Sequence, residues 1–217
     1  KDVVVPGAVV LSGSAMGIVK PKERLIMADK IQHGDAIIFL ASSGIHANGL
    51  TMARKIASKL PDGYMTKLPG GLTYGDMLLN PTHIYVGLVE DCLDQGIDIH
   101  YAVNITGHGW RKLMRAPGNF TYVIDRLHFQ PSIFSFLQEH GPVTDIEAYG
   151  NFNMGAGFAL YIPEDHLKKF WEVVGGRSGN HYPYSAHLAG HIEKSATKRV
   201  IIMPNGISYS AETLGVR

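Results

Sequence analysis

The sequence predicts an α+β fold: a mixed β-sheet with helices packed on it. Two observations carry this reading. Short apolar, strand-like runs alternate with amphipathic helical segments, but irregularly and without a strict βαβ rhythm. The segments are punctuated by Gly, Pro, Asn and Asp turns, with no repeat and no low-complexity stretch. A chain of 217 residues, 45% hydrophobic and 18% charged, can bury a full core as one domain over residues 1–217.

Residues Gly7 to Val19 alternate small and apolar side chains and suggest a strand. Ala36–Ala41 is apolar throughout, as expected of a strand covered on both faces. Leu50 to Leu60 reads as an amphipathic helix that stops at Pro61-Asp62-Gly63. Met77 to Leu79 could form one short helical turn. Pro81 opens a predicted helix reaching Gln95, with Gly96 as its C-terminal stop. Ile99 to Ile105 is the next strand and Trp110 to Arg115 a short helix. Phe120 to Asp125 is a strand, and Pro131 suits the first residue of a helix over Ser132–His140. Thr144 and Glu147 have capping-box spacing at the start of another helix. Phe158 to Ile162 is a strand, Pro163 to Val174 a helix, and the chain closes on strands near 187–192, 199–203 and 207–209.

Three turns hold the candidate site. The first, Ser42 to Gly49, joins an apolar strand to a helix and contains Ser43, Gly44, His46, Asn48 and Gly49. Helix N-termini present free N–H groups and a positive dipole end, which favours an anion such as phosphate. An ordinary strand-to-helix connection is the alternative. The second, Thr106-Gly107-His108-Gly109, and the third, Asn151-Phe152-Asn153-Met154-Gly155-Ala156-Gly157, repeat the theme, and each by itself fits an ordinary loop equally well. Ser, His and Asn side chains in the first turn supply directed hydrogen bonds.

Other chemistry is disfavoured. A net charge of +1 argues against a nucleic-acid groove or a membrane surface, and no apolar run approaches the ~18 residues of a span. The densest basic cluster, Arg111, Lys112 and Arg115, reads as a solvated helix face. The single cysteine, Cys92, reads as a buried small hydrophobe and points to a cytoplasmic context. His187 and His191 lie four apart but on a strand, where a shared metal is unfavourable, so no metal ligand is assigned. The sequence has no Walker lysine loop, no G-x-S-x-G, and no clustered carboxylates for Mg²⁺.

The stretches GDAIIFLASSGIHANGLTMARK, LLNPTHIYV, ITGHGW and FNMGAGF, in this order, resemble the C-terminal half of the aminoimidazole ribonucleotide synthase family, the phosphoribosylformylglycinamidine cyclo-ligases. Arg54 fills the family's helix arginine, and Pro6-Gly7 resembles the junction that closes the family's N-terminal half. The resemblance runs from about Pro6 to about His166, and more loosely to Met203. It implies a C-terminal-domain-like fold and an ATP-dependent ring closure of formylglycinamidine ribonucleotide. It further implies ATP and Mg²⁺ held mainly by an N-terminal half absent from this chain, a homodimer, and an inactive fragment. By resemblance, His46 lies near the chemistry, as donor or proton shuttle, with a structural hydrogen bond across the turn as the alternative. Ser43, Gly44, Asn48, Gly49, Thr106, Gly107 and Gly109 would contact a phosphorylated small molecule, with Asn153 and Gly155 supporting the same cleft. The alternatives are a non-catalytic binding module of the same fold, or another ATP-using relative such as formylglycinamidine ribonucleotide synthase. His108 stands where the family carries a third glycine, and His83 where it carries Arg.

Overall fold

The computed structural model describes residues 9, 11–128, 130–176 and 182–214. Seven strands form one sheet: β1 (Ala36–Ala41), β2 (Tyr101–Asn104), β3 (Phe120–Ile124), β4 (Ala156–Ile162), β5 (Ala186–Lys194), β6 (Arg199–Ile202) and β7 (Ile207–Ser210). Six α-helices accompany them among the described residues: α1 (Leu50–Ala57), α2 (Tyr74–Leu78), α3 (Val86–Asp94), α4 (Ser132–His140), α5 (Asp145–Asn151) and α6 (Leu167–Val174). The strand order is β2-β4-β1-β5-β3-β6-β7. β3 and β6 run parallel, and the other neighbours are antiparallel, so the sheet is mixed as expected.

β1 is central and buried because its two faces serve two cores. Ile37 and Phe39 join Tyr161, Tyr122 and Ile124 in the larger core, with side chains of α1, α2, α4 and α5. Ile38 and Leu40 join Leu160 and Ile162 in a smaller core closed by Leu88 and Cys92 of α3 and Phe170 of α6. The period-two alternation of a strand divides its apolar residues this way. Cys92 is fully buried, and burial pushes its thiol up to about 12, the inert behaviour expected of a structural cysteine.

Several expectations shift. Residues 11–19 carry no regular structure, with Leu11, Met16 and Ile18 exposed. The predicted strand is therefore absent there, and its remaining positions lie partly outside the described residues. The junction at Pro6-Gly7 also lies outside them. The helix predicted from Pro81 begins only at Val86: residues 81–85 carry no helix, and Tyr85 packs in the smaller core. Pro131 caps α4 from outside rather than opening it. Residues 109–114 form 3₁₀ turns, and Thr73–Asp76 makes a capping box at α2 that the sequence reading overlooked. The Thr144–Glu147 capping box is present.

Candidate functional site

Three turns converge at the end of β1. The chain leaves the strand at Ser42, whose N–H donates to Gly155 O at 2.8 Å. Its hydroxyl donates to Asn153 Oδ1 at 2.8 Å, and Gly155 N–H donates to the same oxygen at 3.0 Å. Asn153 Nδ2 donates to Gly44 O at 2.9 Å, and Trp110 Nε1 donates to Asn153 O at 2.7 Å. Asn153 is only 2% exposed, and both ends of its side-chain amide are engaged. It ties the first turn to the third, while Trp110, wedged edge-on against Phe39 and Tyr149, ties in the second.

His46 sits at φ +58, a left-handed backbone that non-glycine residues seldom adopt. Its Nε2 accepts the N–H of Ser43 at 3.2 Å. In the neutral ring the proton is therefore on Nδ1. Burial first, and His83 second, lower its pKa from 6.5 to about 4. Gly157 leaves room for this arrangement: a Cβ there would stand 2.0 Å from Tyr85 Oη and 2.8 Å from His46 Cε1. Tyr85 in turn donates to Ala41 O at 2.9 Å.

These values have a consequence for acid stability. Unfolded, the histidine takes a proton near pH 6.5; folded, only near about 4. Between those values the unfolded chain holds more protons, so stability falls as the pH is lowered through this window. The expected loss attributable to His46 is on the order of 3 kcal/mol. Urea unfolding between pH 7 and 4 measures it, and a His46→Gln variant should show a correspondingly flatter profile.

The predicted residues divide by exposure. Ser43, Asn48, Gly49, Thr106 and Gly107 are accessible, whereas Gly44, His46, Gly109, Asn153 and Gly155 are buried behind them. The Ser43 hydroxyl donates to Pro81 O at 2.6 Å, and Asn80 Nδ2 donates to Ser43 O at 3.2 Å. Asn48 Nδ2 donates to Asn151 O, and the Asn48 side chain lies against Gly107. Gly49, at φ +82, opens α1 with no side chain capping the helix, so the first-turn N–H groups have no side-chain acceptor. Gly109 instead allows close backbone packing on Tyr149–Asn151.

Of the basic cluster, Arg115 is exposed as a solvated face requires, but Arg111 and Lys112 are not. Arg111 Nε donates to Gly150 O at 2.8 Å and Nη1 to Thr213 O at 2.5 Å, clamping the 3₁₀ segment to α5 and the C-terminal turn. Lys112 Nζ donates to Thr106 Oγ1 beside the second turn. His108 is partly buried, and burial, then Arg111, Lys112 and Arg115, hold its pKa below the usual value. Sequence reasoning passed over Asn80 and Tyr85 and read Lys112 only as a solvated charge, because their contacts join distant segments or depend on the folded turn. The spaced histidines part company: His187 stacks on His128 at 4.0 Å, while His191 meets Asp125 and Glu193. Among the described residues, no group of three or more His, Cys, Asp or Glu could hold a metal ion. No helix among them is long and apolar enough to cross a membrane.

A mixed sheet whose central strand ends in a glycine-punctuated, internally braced turn against an uncapped helix defines the structural class. The family described as AIR synthase related protein, C-terminal domain, matches residues 32–201, and the chain belongs to it. The chain is 38% identical over 184 residues to a phosphoribosylformylglycinamidine cyclo-ligase of Methanococcus vannielii, covering 84% of this chain and 51% of that protein. It spans about half the length of the curated relatives it matches. Among solved structures, the hydrogenase maturation protein HypE in complex with ATP superposes with a TM-score of 0.54 at 16% identity, covering 85% of this chain and 52% of that one. Thermotoga maritima PurL complexed with FGAR gives 0.51 at 11% identity, covering 89% and 30%. At these identities the two structures share the fold with this chain.

Proposed function

We propose that this chain is the C-terminal, substrate-binding half of an ATP-dependent cyclo-ligase that converts formylglycinamidine ribonucleotide to aminoimidazole ribonucleotide. The observation that carries the reading is the braced turn: accessible Ser43, Asn48 and Gly49 stand beside Thr106 and Gly107 at an uncapped helix start. The named relatives support the reaction. In that reaction ATP phosphorylates the substrate's amide oxygen, making it a good leaving group. An amine nitrogen of the same molecule attacks the activated carbon, phosphate departs, and the ring closes. Ring closure is intramolecular, so its rate depends on fixed geometry.

This chain's share is positioning. Asn153 and Trp110 hold the turns in one arrangement, and the backbone N–H groups at Gly49 and Gly107 and the side chains of Ser43, Asn48 and Thr106 orient a phosphorylated substrate. His46, neutral at pH 7, offers its Nδ1–H as a donor near the reacting atoms. Mg²⁺ would need clustered carboxylates, and the described residues hold no such set. By the same resemblance, the whole protein acts as a cytoplasmic homodimer, which size-exclusion chromatography with light scattering checks.

The test is ADP release by the natural full-length protein, expected only when formylglycinamidine ribonucleotide is present. No ATP turnover with that substrate would defeat the enzyme assignment. Residues 1–217 alone are expected to give no cyclisation.

A further inference from the structure

A groove of about 550 Å³ runs along α1 from the Asn48–Gly107 contact to the end of α4. It falls within the size range of small-molecule sites. Its polar lining includes Lys55 of α1 and Lys59, four positions on and just past the helix end, together with Asn48, Thr51, His140 and Asn151, and it contains no carboxylate. Met52, Ile56 and Phe152 supply apolar wall. Among the described residues, neither lysine's ammonium group makes a hydrogen bond or an ion pair. Like charges at this spacing repel, and nothing in the groove offsets them. His140 is held in place: its ring stacks on Phe136 at 4.0 Å, and Nδ1 meets Phe136 O at 3.1 Å, leaving Nε2 as its unused polar atom.

We infer that this groove is a phosphoryl-binding subsite, in which Lys55 and Lys59 pair with the phosphate of a small phosphorylated molecule whose remainder reaches the Asn48–Gly107 end. The inference builds on the proposed substrate-positioning role by assigning the anionic end of the substrate to residues outside the glycine turns. A phosphoryl group relieves the lysine–lysine repulsion, and its charge-assisted hydrogen bonds outweigh those of a neutral ligand. The apolar wall leaves the sugar and base side of such a molecule a surface to lie against.

The test is equilibrium binding of ribose 5-phosphate to the protein by calorimetry at fixed ionic strength, with ribose as the uncharged control. Saturable binding of ribose 5-phosphate and none of ribose is expected. The double variant Lys55→Met/Lys59→Met should weaken binding at least tenfold, and Lys55→Arg/Lys59→Arg should restore most of it. Both lysines are exposed, and unchanged unfolding midpoints would establish that the variants fold. No saturable binding, equal binding of ribose, or undiminished binding by the Met variant would overturn the subsite. Cyclisation by the full-length protein with an unaltered KM in the Met variant would overturn it too, while leaving the proposed reaction standing. Lysine-dependent phosphate binding without cyclisation would leave the subsite intact and remove only the reaction.

Discussion

Gly109→Ala is expected to destabilise the protein by about 4 kcal/mol or more. A Cβ at this position would lie 2.2 Å from Tyr149 O and 2.7 Å from both Asn151 N and Gly150 C. All three are backbone atoms of α5, so no flexible side chain can swing aside. The residue also sits at φ +51, where a side chain adds strain. The 3₁₀ segment and α5 would have to separate, disturbing Trp110 and Arg111 together. Urea unfolding measures the change as a lower midpoint at unchanged slope. Gly107→Ala is the contrast. That residue is exposed, and its Cβ would meet only the Asn48 side chain, with Oδ1 nearest at 3.3 Å, so stability should change by less than about 1 kcal/mol. A stable Gly109→Ala protein with only weakened substrate binding would show instead that Gly109 faces the ligand.

Asn153→Ala should cost about 3–4 kcal/mol and impair activity of the full-length protein even under conditions where it remains folded. The change removes three hydrogen bonds and leaves the Ser42 hydroxyl, Gly155 N–H and Gly44 O buried without that partner. Asn153→Asp separates the two ends of the amide. The introduced carboxyl keeps an acceptor for Ser42 and Gly155 but, when ionised, faces Gly44 O with no proton to donate. Its pKa should rise in the folded state, so the destabilisation relative to the parent protein should shrink as the pH falls. Unfolding curves at pH 7 and pH 5 check this. Equal destabilisation at both values would mean that the Gly44 contact contributes little.

Much of the architecture was legible locally. The uninterrupted apolar run of β1, the Thr144–Glu147 spacing and Gly96 each act over a few neighbouring residues, and each performs in the structure as its local chemistry requires. The predicted strand before Val19 failed because apolar alternation shows only that a segment could pair; residues 11–19 have no strand beside them. The helix predicted from Pro81 started late for the converse reason: Tyr85 is held in the smaller core by residues far away in sequence.

The site divides along the same line. The glycine and polar composition of the three turns marked them as special, but composition does not record direction. Asn153 and Asn48 look alike in sequence. One is buried with its amide engaged, and the other is partly exposed beside Gly107. Arg111 reads as a surface charge until the fold brings Gly150 and Thr213 to its guanidinium.

The sequence by itself determined which segments become strands and helices around β1, and which turns carry glycine and hydrogen-bonding side chains, because those properties follow from neighbours within a few residues. Only the tertiary structure decided which of those side chains brace the turn and which face the groove. That choice depends on burial and hydrogen-bond partners up to 111 positions away, as between Ser42 and Asn153.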